Sequence, residues 1–147
     1  MDMPPLLILK DEAAYRAHFE TVYCQGPILT FDNIAVRFRK SDFDHCCYKT
    51  ERGGHKKTVP CPMRCERIDW IKAALEDPNA DMRVGWDNRR KCYLHNRRVM
   101  IVSGNYVVVI DILKGDSKAE LVTAYVADSG PGETLSKIKK NPKWPRR

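Results

Sequence analysis

The stretch that decides the fold is Arg89–Ala127, RRKCYLHNRRVMIVSGNYVVVIDILKGDSKAELVTAYVA. A strongly basic opening runs into β-forming segments: VMIV, a tight Ser103-Gly104-Asn105 turn, YVVVIDIL, the polar turn KGDSK, and ELVTAYVA. β-Branched and aromatic residues punctuated by Gly, Asn and Asp predict strands joined by hairpins, and therefore an antiparallel sheet. Tyr106 to Leu113 is apolar nearly throughout, as a central strand covered on both faces would be. In the last strand, simple alternation places Val122, Ala124 and Val126 on one face. Leu121, Thr123 and Tyr125 then take the other, where a hydroxyl and a phenol can meet a substrate.

Working towards the N-terminus, MRVGW and RKCYL continue the β pattern back to Met82. Before them, Pro62 is a good first-turn residue, and MRCERIDWIKAALED carries an apolar stripe of Ile68, Ile71 and Leu75 up to Pro78. One helix over that span would set Arg64 and Arg67 along the same edge, aimed at the sheet. Glu51–Pro62 lacks apolar periodicity and reads as a basic loop. The short segment KSDFD is a helix or turn that delivers His45. ILTFD and IAVRF predict a hairpin with Asn33 in the turn. Asp11 can cap a helix through EAAYRAHFETVY, with Tyr15, Phe19 and Val22 on its inner face. Downstream, ETLSKIKK suggests a short helix before a tail rich in Pro, Lys and Arg. The chain thus reads as one α+β domain, helices packed on a central antiparallel sheet.

With 147 residues, 43% hydrophobic and 31% charged, the chain can bury a core without disulfides. No apolar run reaches membrane-spanning length, and PPLLIL is too short for a signal segment, so a cytoplasmic protein with no membrane association is expected. The net charge of +7 is concentrated in Arg52–Lys57, Arg89–Arg98 and Lys137–Arg147, a distribution that favours a polyanionic partner. Six cysteines without a secretory signal are expected to be mostly reduced and structural.

No Gly-rich phosphate loop, nucleophile elbow or helical pair of metal-binding histidines is present in the sequence. What remains is an acid/base site or a zinc site. Cleavage of RNA through the ribose 2′-hydroxyl needs a group to take that proton, cations to hold charge at phosphorus, and an acid for the leaving 5′-oxygen. His45 titrates near neutrality and suits either proton role. Arg64 and Arg67 suit bidentate phosphate clamping. Lys49, Lys56, Lys57, Arg89 and Arg90 add cationic contacts for RNA, and Thr123 and Tyr125 can position phosphate from the sheet. Each also has an ordinary reading: a hydrogen-bonded histidine at a strand end, a salt-bridged helix face beside Glu66 and Asp69, and plain strand propensity. The zinc alternative draws on His55, Cys61 and Cys65, with His45, Cys46 and Cys47 nearby. Cys46 and Cys47, if on a strand, would point to opposite sides and could not both join it.

The order of a hairpin, SDFDHCCYKTE, the helix RCERIDWIKAALEDP and the strands NYVVVIDI and ELVTAYVAD resembles the phage-associated nucleases of the barnase, EndoU, colicin E5/D and RelE type. That resemblance covers residues 28–128 as a nuclease-like α+β core (a BECR-like ribonuclease architecture). It leaves 1–27 as an N-terminal helical segment and 129–147 as a basic C-terminal helix and tail. It implies a metal-independent endoribonuclease without cofactors, toxin-like or phage-borne, acting on RNA in a bacterial host, and it leaves room for an immunity or antitoxin protein as partner. Carried onto this chain, it implies a site of His45, Arg64 or Arg67, and Thr123, with Tyr48 and Glu51 as lesser members. Glu51 can replace His45 as base. The other readings of the same residues are a non-catalytic nucleic-acid-binding or inhibitory phage module, in which Trp70, Trp86 and Trp144 offer stacking platforms, and a zinc-stabilised interaction protein.

Overall fold

The apolar run after Asn105 becomes a strand whose seven residues are all buried, and the rest of the molecule is arranged around it. The computed structural model describes residues 3–50, 57–115, 117–127 and 135–145. In chain order the elements are α1 (Glu12–Tyr23), β1 (Ile28–Leu29), β2 (Ala35–Arg37), α2 (Asp42–Cys47), β3 (Tyr48–Thr50), β4 (Lys57–Pro60), α3 (Pro62–Cys65) and α4 (Ile68–Glu76). They continue with β5 (Asp81–Val84), β6 (Trp86–Asp87), β7 (Cys92–Tyr93), β8 (Arg98–Ser103), β9 (Tyr106–Ile112), β10 (Lys118–Val126) and α5 (Leu135–Ile138).

Six strands form the main sheet in the order β1-β2-β10-β9-β8-β5. The predicted hairpins are present: Ser103 pairs with Tyr106 across a two-residue turn in which Gly104 takes φ 63, a conformation open to glycine at little cost. The sheet is not antiparallel throughout, because β2 runs parallel to β10. A parallel neighbour cannot be joined by a tight turn, and β2 and β10 are separated in the chain by α2 to β9.

Residues along β8 and β9 alternate between two apolar clusters. Val99, Ile101, Val108 and Ile110 join the larger cluster, in which the α1, α2 and α4 side chains Phe19, Tyr23, Phe43, Ile68, Ile71 and Leu75 are buried. Met100, Val102, Val107 and Val109 face the smaller one, closed by Ile138 and Leu135 of α5. The expected α+β architecture, with helices packed on a sheet, is what the chain adopts as one domain. The N-terminal helix is part of its core.

Several local details differ from expectation, among them the expected basic loop Glu51–Pro62, of which Lys57–Pro60 is strand β4 paired with β3. Tyr23 rather than Val22 completes the buried face of α1, which Asp11 caps by accepting from Ala14 N at 2.8 Å. The span from Pro62 to Glu76 is two helices, interrupted at Glu66-Arg67. β10 carries a register shift between Leu121 and Thr123. One residue is thereby added against β9 and the alternation resets. Leu121, Ala124 and Val126 enter the larger cluster, and Val122 and Tyr125 the smaller.

Candidate functional site

β2 pairs with β10 only over Lys118–Glu120, and α2 packs against β10. α2 begins where Asp42 Oδ2 accepts from Arg39 N at 2.8 Å. It seats Phe43, Cys46 and Cys47 in the core, so the intervening His45 is exposed. Cys46 and Cys47 are both buried, contrary to the strand-based expectation, because on a helix successive side chains diverge by only about 100° and neighbours can share a face.

The last carbonyls of a helix have no partner within it. Those of α2 find theirs on distant elements. Arg64 Nη1 donates to His45 O and Tyr48 O, 3.3 Å from each. Thr123 Oγ1 donates to His45 O at 3.1 Å. Cys61 N and the Cys65 thiol donate to Cys47 O at 2.8 and 3.6 Å. The main chain of the exposed His45, a half-buried guanidinium and a strand hydroxyl therefore meet at one turn of backbone. The hydroxyl's single proton is committed to that carbonyl, so Thr123 holds the His45 segment in place.

Arg67 does not join this group. The break after α3 turns it away from Arg64: its Nη1 donates to Met63 O at 2.8 Å and its guanidinium lies 4.8 Å from the Trp70 ring. Tyr48 is half-buried, its ring edge-on to Phe43 at 6.3 Å. Tyr125, opposite Val107, is buried in the smaller cluster, whereas Thr123, opposite Val109, is half-buried. Lys49 and Lys57 lie on β3 and β4, which pair antiparallel directly after α2. Glu51, His55 and Lys56 lie outside the described residues. Arg89 and Arg90 are exposed at the β6–β7 turn.

Cys65 is buried against Cys47, and the hydrogen bond between them pushes the Cys47 thiol up and the Cys65 thiol down. Among the described residues no group of three or more His, Cys, Asp or Glu is placed to hold a metal ion. Nor, among them, is any helix long and apolar enough to cross a membrane.

Residues that sequence reasoning missed include Asp111 and Arg98. Asp111 is a buried carboxylate in the middle of the apolar run of β9, gripped bidentately by Arg98 at 2.8 and 3.1 Å. A charge inside YVVVIDIL was the available signal, since a buried carboxylate requires a partner. Comparison with known proteins finds no matching family model, no matching curated protein and no matching solved structure.

Proposed function

We propose that the chain is a metal-independent endoribonuclease of phage or toxin-like character, acting on RNA in the cytoplasm of a bacterial host. The observation that carries this reading is the hydrogen bond from Arg64 to the main-chain carbonyl of the exposed His45 at the end of α2. In the proposed reaction the ribose 2′-oxygen loses its proton to His45, or to Glu51, and forms a bond to phosphorus. The bond from phosphorus to the 5′-oxygen breaks, that oxygen takes up a proton, and a 2′,3′-cyclic phosphate remains. Arg64 uses Nη1 on the two carbonyls, and the rest of its guanidinium fork is offered to the phosphate, where charge builds up. An immunity or antitoxin protein would act by covering this end of α2.

Incubation of the protein with defined RNAs in excess chelator provides the test. Cyclic-phosphate products are expected, reduced by about 100-fold or more in His45→Ala, the usual scale for losing a general acid or base. Intact RNA, or equal cleavage by the variant, would overturn the proposal. A second reading, binding of nucleic acid without cleavage, is favoured by the commitment of Thr123 Oγ1 and Arg64 Nη1 to main-chain carbonyls. It predicts salt-sensitive binding that leaves the RNA whole.

A further inference from the structure

The strands β6 and β7 form a sheet of their own, outside the six-stranded one, and carry four residues, Asn88 to Lys91, between them. Every one of those four is exposed, three of them cationic. Asp87 shapes the turn, its Oδ1 accepting from Arg89 N at 2.9 Å and Arg90 N at 3.4 Å, and its Oδ2 meets Arg90 Nε only at 3.8 Å. Lys91 adopts φ 54, a left-handed conformation in which Gly or Asn is the usual occupant. Behind this tip Trp86 is 43% exposed, with its ring edge-on to Tyr93 at 5.0 Å, and Tyr93 in turn meets His95 at 6.1 Å.

The arm is fixed at its base. Gly85 N donates to Arg98 O at 2.8 Å, Leu94 N donates to Gly85 O at 3.0 Å, and Arg98 Nη1 donates to Trp86 O at 3.4 Å. Arg98 is itself held by the buried Asp111. Its stem passes so close to Gly85 that a Cβ there would sit 2.2 Å from Arg98 Cγ, so the close approach requires glycine. Tyr93 Oη lies 3.5 Å from Asn141 Oδ1, tying the arm to the tail, in which Lys139, Lys140 and Lys143 are exposed.

We infer that this arm is a docking element for single-stranded RNA, with Arg89, Arg90 and Lys91 on consecutive phosphates and a base stacked on Trp86. The inference rests on the proposed handling of RNA and supplies its binding surface. Charge complementarity selects a polyanion, and the exposed indole beside the cations selects one with unpaired bases, because duplex RNA offers no free π-face. A preformed arm loses little conformational freedom on binding.

The test is fluorescence anisotropy with a labelled 2′-O-methyl oligouridylate, which has no free 2′-hydroxyl and cannot be cleaved by transesterification. The triple variant Arg89→Ser, Arg90→Ser, Lys91→Gly places glycine where φ is already positive, and should unfold at the wild-type temperature. It should lower the salt dependence of binding by about two in log-log slope, roughly 0.7 for each phosphate of a single strand that is no longer neutralised. Trp86→Ala should weaken binding about tenfold or more, with Trp86→Phe recovering most of it. The wild type should prefer the single strand to a 2′-O-methyl duplex and to polyglutamate. Unchanged slope in the triple variant, unchanged affinity in Trp86→Ala, or equal binding of duplex or polyglutamate would each overturn the inference. Because the probe resists cleavage, the result is independent of catalysis: RNA left intact in the chelator experiment would remove the enzyme and leave this arm standing, and the reverse holds equally.

Discussion

At the scale of single residues, Asp42 carries the clearest consequence. Its carboxyl is buried at the start of α2, and that burial raises its pKa above the ordinary 3.8, against the pull of the Arg39 N–H and the neighbouring His45 and Arg39 charges. The folded protein therefore binds this proton more tightly than the unfolded chain. The resulting stability is fully present below the ordinary pKa and is lost as pH rises through the raised one. An asparagine in its place would keep an oxygen for Arg39 N while removing the charge. Relative to wild type, Asp42→Asn should gain stability between about pH 3 and about pH 7 in urea titrations, and a constant difference would show that the carboxyl is not perturbed. The candidate site beside it was only partly legible at this scale. His45, Arg64 and Thr123 could be named from residue type, but that an arginine and a threonine would share one carbonyl depends on α2 ending where β10 passes. Nothing local specifies that meeting.

Among elements, α1 and α4 are joined by the Tyr23 phenol and by His18 Nε2, 2.7 Å from Asp69 Oδ1. Tyr23 Oη donates to Ile68 O at 2.6 Å and accepts from Lys72 N at 3.1 Å, and burial pushes its ionisation far above the ordinary range. Those two backbone groups are one helical turn apart and can bond to each other if the hydroxyl is removed. Tyr23→Phe should therefore cost about 1 kcal/mol, near the net worth of one hydrogen bond. Tyr23→Ala, which empties a fully buried site, should cost about 3–5 kcal/mol. Denaturant unfolding of both variants checks the ratio. The same scale explains why a single long helix was expected from Pro62 to Glu76. Its apolar stripe is continuous in Ile68, Ile71 and Leu75, and no Gly or Pro interrupts RCERID. At the break Arg64 and Arg67 bond in different directions: Arg64 to the end of α2, and Arg67 to Met63 O beneath its own stack on Trp70.

For the whole molecule, the two chain ends act as straps. The N-terminal segment crosses α3 and α4, with Leu7 N donating to Glu66 O at 2.9 Å and Trp70 Nε1 to Pro4 O at 2.8 Å. The tail covers the edge strand β5: Val84 N donates to Pro142 O at 2.8 Å and Trp144 N to Met82 O at 2.9 Å, while the Trp144 ring packs against the larger cluster. An uncovered edge strand invites pairing with other chains. Trp144→Ala should lower stability by about 1–2 kcal/mol, less than a fully buried tryptophan because this one is half-exposed. Removal of 142–147 should in addition promote self-association, measurable by light scattering. A truncated chain as stable and as monodisperse as the full one would show that the tail is not a structural strap.

Periodicity and turn chemistry by themselves determined the elements and their class. A nearly continuous apolar run reads as a doubly covered strand, Gly104 marks a turn, and the excess of Lys and Arg calls for a polyanion, because each follows from local sterics, hydration or charge. Tertiary structure alone decided the parallel pairing of β2 with β10, the bulge that set Leu121 and Tyr125 on opposite faces, the parting of Arg64 from Arg67, and the Asp111–Arg98 pair beneath the basic arm. These depend on contacts between residues far apart in the chain. Their energies exist only once the sheet has formed, so no window of sequence contains them.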